Sequence, residues 1–157
     1  MIETKINGKM LYFNNKAFKK YDSTKGNVRG YLDYNLGLLS MLTADVQNEF
    51  PHVDSFYVSS TYRKPKAKWS PHEEGRAIDV SRFYIEDKAY YLIETQYREE
   101  WKYFAELCGK YFQKGLYNQV LCPYDIWDMR RLHVSKIEKL KNSHQDHFHL
   151  NIGRNSI

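Results

Sequence analysis

The chain has 157 residues, 42% hydrophobic and 27% charged, with 4 Pro and 8 Gly; this composition excludes disordered and collagen-like classes and fits one domain spanning 1–157 that buries roughly two-thirds of its unfolded surface. The net charge of +5 is uneven, because residues 1–30 hold seven Lys/Arg against Glu3 and Asp22, a bias that suits either a solvated face or a polyanion such as nucleic acid or an anionic cell wall. No run approaches the roughly 18 apolar residues of a membrane span, and Met1–Met10 carries Glu3, Lys5, Asn7 and Lys9 where a secretory signal has an apolar stretch, so no span and no leader are expected.

No internal repeat, low-complexity stretch or long linker divides the sequence. Between Tyr31 and Phe50 the residues Leu32, Leu36, Leu39, Leu42, Val46 and Phe50 recur at steps of three and four, which predicts an amphipathic helix closed by Pro51. The aromatic and β-branched run Asp54–Tyr62 predicts a strand, followed by a breaker-rich loop, Arg63–Glu74, with Pro65 and Pro71. A second strand is predicted over Gly75–Phe83, with Ala77, Asp79 and Ser81 on one face and Ile78 and Val80 on the other. From Glu86 to Gln113, Ala89, Ile93, Tyr97, Trp101, Phe104, Cys108 and Phe112 again fit helical spacing, with room for a break, and Gly115 ends the stretch.

A short strand is predicted at Asn118–Cys122 and a helix at Asp128–Leu140. Cys108 and Cys122 sit in apolar surroundings without a CxxC spacing and read as two buried thiols or as one disulfide. In the last predicted strand, Asp146–Ile152, alternation puts His147, His149 and Asn151 on one face and Phe148, Leu150 and Ile152 on the other. Helices and strands without a regular βαβ rhythm predict an α+β fold with a mainly antiparallel sheet flanked by helices.

Six histidines are present, and His144, His147 and His149 fall close together. His52 and His133 read as ordinary half-buried polar residues. His72 precedes the strand that carries Asp79. Two imidazoles and a carboxylate, with one position left to water, are the open donor set of a catalytic zinc, and mixed N and O donors suit Zn2+ better than Mg2+ or Ca2+.

The run Ser70-Pro71-His72-Glu73-Glu74-Gly75-Arg76-Ala77-Ile78-Asp79 matches all five fixed positions of SxHxxGxAxD. It resembles the zinc peptidases that cut bacterial cell-wall peptides, the D-Ala-D-Ala metallopeptidase or LAS group, whose core is shared with the Hedgehog signalling domain. The C-terminal strand resembles two branches of that group. Asp146, three residues before His149, is similar to the carboxypeptidase and phage-endolysin branch, while His147-x-His149 with His144 upstream is similar to the murein endopeptidases. Ser59–Arg63 is similar to the group's strand followed by an arginine, so the resemblance covers residues 59–152; the first 50 residues and the long helical insert lie outside it.

The resemblance implies a Hedgehog/DD-peptidase-like fold and zinc ligands His72, Asp79 and His149. It implies Asp146 as general base and later acid, an alternative being a helix cap or the acceptor for a ligand histidine. His147 is implied as oxyanion stabiliser or as a supporting hydrogen bonder, and Arg63 as the group that holds a substrate carboxylate or the scissile carbonyl, against a plain surface arginine. His144 would stand behind the ligands. Ser70 is expected to fix the His72 loop by a backbone hydrogen bond, Gly75 to allow a tight turn, Ala77 to leave room beside the metal, and Glu73 and Glu74 to be solvated.

The implied activity is hydrolysis by a zinc-dependent peptidoglycan endopeptidase of an amide next to a D-amino acid, in stem peptides or cross-links. The alternatives are a D-Ala-D-Ala carboxypeptidase and a non-catalytic, zinc-containing cell-wall-binding module. The implied partner is bacterial peptidoglycan, with no nucleic acid, since no recognition motif accompanies the charge, and the expected state is a monomer. Absence of a leader fits a lysin-like protein released to the wall, or one secreted with a leader that this sequence does not include.

Overall fold

The computed structural model describes residues 11–124 and 142–153. Among them, β1 (Leu11–Phe13), α1 (Asn15–Asp22), α2 (Gly26–Glu49) and β2 (Ser55–Ser60) are followed by a 3-10 turn at Pro71–Glu74 and by β3 (Ala77–Ile85). After these come β4 (Lys88–Tyr91), α3 (Leu92–Thr95), α4 (Glu99–Gln113), β5 (Gln119–Leu121) and β6 (Phe148–Asn151). The fold is mixed α+β. Its six-stranded sheet runs β1-β2-β3-β6-β5, with β4 also on β3. The β1–β2 pair is parallel and the other pairs are antiparallel. Among the described residues no helix is long and apolar enough to cross a membrane.

Alternation sorts the sheet into two faces. Phe56, Val58, Ile78, Val80, Phe83, Val120, Phe148 and Leu150 all enter the core, whereas Ala77, Asp79, His149 and Asn151 occupy the intervening positions on the other face. Leu32, Leu36, Leu39, Leu42 and Val46 of α2 are buried as their spacing predicts. Phe56, Trp101, Phe104 and Phe148 interlock beneath the sheet, with ring centroids 4.9 Å apart for Phe56–Phe104 and 4.7 Å for Phe104–Phe148. Such aromatic packing adds about 0.5–1.5 kcal/mol per pair beyond simple burial.

Phe83 stays in the core with Val80 only because β3 gains a residue. Opposite Tyr57 and Val58 the partners are Arg82 and Val80, so Ser81 is extra; opposite Val58 and Ser60 they are Val80 and Asp79, so Ser59 is extra. These two bulges on adjacent strands compensate each other within a few residues, and bulges commonly re-aim side chains next to sites.

Three parts of the chain differ from the pattern-based expectation. The segment from Glu86 is not helical: β3 turns at Glu86–Asp87 into β4, with Ile85 opposite Lys88 and Arg82 opposite Tyr91, and Glu86 has φ +54°. The Asp54 carboxylate accepts the Glu86 amide in that turn. Ile93 and Tyr97, which fitted the helical stripe, are 57% and 71% exposed, and only Trp101, Phe104 and Cys108 of that stripe form the buried face of α4. The helix α2 starts at Gly26 rather than Tyr31, and β1 and α1 precede it. Cys108 and Cys122 are both buried free thiols. The helix expected at 128–140 and His133 lie outside the described residues.

Candidate metal centre

The site forms on the open face of the sheet where β3 meets β6. Asp79 and His149 are direct cross-strand partners, so both side chains project from the same face at neighbouring positions. His72 arrives from the 3-10 turn. Pro71 starts that turn, the Ser70 hydroxyl accepts the His72 amide at 3.4 Å, and the Gly75 and Arg76 amides donate to His72 O and Pro71 O. Gly75 ends it with φ +76°, and a Cβ there would stand 2.3 Å from the Val28 carbonyl oxygen of α2. Glycine is needed on both counts. Glu73 and Glu74 are half-buried and hold the loop as well as facing solvent: Glu73 accepts the Lys66 amide, and Glu74 accepts from Trp69 Nε1 and pairs with Arg76.

His72, Asp79 and His149 are buried, and one donor atom from each lies within 4.8 Å of the others. His72 Nδ1 lies 2.7 Å from the Thr61 carbonyl. A carbonyl only accepts, so Nδ1 carries the proton and Nε2 is the free donor, as second-sphere partners arrange for metal-binding histidines. Asp79 Oδ1 is 3.4 Å from His72 Nε2 and 3.3 Å from His149 Nδ1.

Those separations are long for charge-assisted hydrogen bonds, which run about 2.7–2.9 Å. They match the edges of a tetrahedron with arms of about 2.0–2.1 Å, roughly 3.3–3.4 Å, the arms zinc makes to imidazole and carboxylate. The donor set could therefore hold a metal ion, and the two edges at Asp79 are of the length a zinc site has. The other oxygen, Asp79 Oδ2, accepts from Arg63 Nη2 at 3.3 Å, which leaves Oδ1 to the histidines.

Burial by itself pushes the Asp79 carboxyl up, but the two imidazoles beside it, His149 and His72, outweigh burial and hold it below the usual carboxylate range. Burial lowers the His149 pKa more than Asp79 raises it. Asp79 is thus held as a carboxylate, the protonation state that binds metal.

The site opens into a cleft of about 720 Å³ whose lining includes Asp79, Arg63, Asp146, His147, Lys16, Lys20, Tyr91 and Ile93. Asp146 is exposed and bonded to His147 Nδ1 at 2.7 Å, so its partner is His147 and not a ligand imidazole. His147 Nε2 stands 3.9 Å from Asp79 Oδ1. The His144 ring lies 4.9 Å from His147 and 5.8 Å from His149. Arg63 is 44% exposed yet turned inward onto Asp79 and Ser60.

The structure thus gathers every site residue singled out in the sequence around one cleft. Sequence reasoning missed Thr61, whose role is carried by its backbone and has no sequence signal, and the cleft-lining Lys16, Lys20, Tyr91 and Ile93. His52 is engaged elsewhere, with Glu100 at 2.8 Å.

Searches of protein-family profiles, of curated proteins and of solved structures each return no match for this chain.

Proposed function

We propose that the protein is a zinc-dependent peptidoglycan endopeptidase with a Hedgehog/DD-peptidase-like fold, hydrolysing an amide next to a D-amino acid in stem peptides or cross-links. The observation that carries this reading is the buried His72, Asp79 and His149 set, with Asp79 Oδ1 3.4 and 3.3 Å from the two imidazoles, opening on a cleft that also holds Asp146 and His147. The sequence resemblance supplies the substrate class.

Zinc bound by those three residues supplies Lewis acidity, polarising an amide carbonyl and bringing a water pKa towards about 7. The chain's own groups do the rest. Asp146 accepts the proton of the attacking water as the C–O bond forms, and returns it to the amine nitrogen as the tetrahedral species collapses and the C–N bond breaks. His147, bonded to Asp146 through Nδ1, keeps that carboxylate oriented, and as a doubly protonated imidazolium it would also donate from Nε2 to the oxyanion. Arg63 fixes Asp79 through Oδ2. That engagement favours an internal amide over a terminal carboxylate as the group beside it. All these residues come from one chain, which is compatible with a working monomer.

The test is release of new amino termini from purified peptidoglycan by zinc-loaded protein, run beside Asp146→Ala with zinc content measured on both. One zinc per chain in each, with release falling about 100-fold or more in the variant, is the expected result. Fragment masses name the bond, and terminal D-Ala alone would indicate a carboxypeptidase. Stoichiometric zinc without cleavage by the parent protein would replace the hydrolase with a binding module.

A further inference from the structure

The cleft has two chemically different walls. Asp146 and His147 line it just before β6, on one side of β3, and Lys16 and Lys20 of α1 line it on the β2 side, with Arg63 bonded to Asp79 of β3. The position of α1 is fixed by the sheet, because the Asn14 amide donates to Val58 O at 3.0 Å and the Thr61 hydroxyl donates to Ala17 O at 2.8 Å. Lys16 and Lys20 are one turn apart and so share a face of the helix.

Nothing in α1 calls for cations there. Lys16 sits in a first turn that holds no acidic residue, where the helix dipole disfavours positive charge, and like charges four residues apart disfavour the helix further. Neither lysine forms an ion pair among the described residues. Burial, followed by the charges of Lys16, Arg63, Lys66 and Lys64, lowers the pKa of Lys20. The wall thus carries unrelieved positive potential at the edge of a concave site, which attracts anions.

We infer that Lys16 and Lys20 form a carboxylate-binding subsite, so that the substrate is an acidic peptide with a free carboxylate on a residue flanking the bond that is cut. This rests on the hydrolase reading above and adds to it an orientation. A carboxylate on the opposite flank would meet Asp146, and beyond it the exposed Tyr91 and Ile93 offer an apolar lip. The acidic flank of the peptide lies along α1 and the uncharged flank along β4.

The test uses the zinc-loaded full chain and two synthetic stem peptides that differ only in whether the glutamyl α-carboxyl is free or amidated. Binding is read by calorimetry and cleavage by mass spectrometry, for the parent protein, for Lys16→Gln/Lys20→Gln and for Lys19→Gln/Lys25→Gln. The last variant removes the same charge from exposed positions outside the cleft lining.

The parent and the control are expected to bind the free-acid peptide about tenfold more tightly than the amide, with a preference that shrinks as salt is raised, and the Lys16/Lys20 variant to bind both alike. Equal zinc content and melting temperature in all three proteins verify the fold. A parent that does not discriminate, or a preference that survives in the Lys16/Lys20 variant, overturns the subsite. Discrimination lost in that variant without cleavage by any protein upholds the subsite and overturns the hydrolase, whereas cleavage without discrimination does the reverse.

Discussion

Replacing Gly75 by alanine tests whether the turn that delivers His72 is held as tightly as its geometry implies. Two effects combine there. The left-handed backbone, φ +76°, costs a β-carbon-bearing residue about 1–2 kcal/mol. The new Cβ would also stand 2.3 Å from the Val28 carbonyl oxygen, a backbone atom of α2 that cannot rotate away, and relief by shifting the helix or the turn adds about 1–3 kcal/mol.

Gly115, after α4, isolates the first effect: it has φ +77° and open space around its Cβ position. At roughly 2–4 °C per kcal/mol for a chain of this size, Gly115→Ala is expected to lower the melting temperature by about 3 °C and Gly75→Ala by about 6–12 °C. Zinc titration should show about tenfold weaker binding in Gly75→Ala, because His72 moves with the turn, and unchanged binding in Gly115→Ala. Melting temperatures lowered equally in the two variants would refute the reasoning, since the Val28 contact would then yield at no cost.

Asn35 of α2, fully buried, donates to Arg76 O at 3.0 Å and Leu150 O at 2.9 Å, joining the helix to β6 and to the residue before β3. Asn35→Ala removes both bonds, although Arg76 O keeps the Ile152 amide, so a loss of about 1–3 kcal/mol is expected, read as a lower urea midpoint at unchanged m-value. Glu100, buried, is drawn down from 4.5 to about 2, because bonds from Arg98 and His52 outweigh the upward push of its burial. A depressed carboxylate stabilises the fold above its unfolded pKa and loses that contribution as pH falls through the folded value. The stability difference between the parent and Glu100→Gln should therefore be flat from pH 7 to about 5 and shrink between about 4.5 and 2. Solvent around His52 limits its size to about 1–2 kcal/mol; a difference that grows on acidification contradicts the assignment.

The His72, Asp79 and His149 cluster was legible because the resemblance that pointed to it rests on local signals. Spacing and turn chemistry within Ser70–Asp79 are read along the chain, and the alternation in His147–Ile152 assigns faces before any partner strand is known. The elements that were missed depend on partners distant in sequence. The three residues of β1 are a strand only against Phe56–Val58. The turn at Glu86–Asp87 has neither Gly nor Asn to announce it, and Asp54 holds it from 32 residues away. Lys16 and Lys20 read as scattered charge until Ala17 and Val58 place α1 beside the cleft.

The order of strands has a consequence for how the protein is made. β6 lies between β3 and β5 although it is the last of the three in the chain, and among the described residues β5 pairs with no other strand. The sheet therefore cannot be assembled in the order in which it is synthesised. Asp79 waits for His149 across 70 residues, about 4–14 s at ordinary translation rates of roughly 5–20 residues per second. During that interval the hydrophobic edge of β3 has no covering strand at Ala77–Val80, a state open to misassociation. Insertion of β6 closes the edge, pairs β5 and completes the His72, Asp79 and His149 cluster in one event, so the nascent chain gains its candidate metal site only when its sheet is finished.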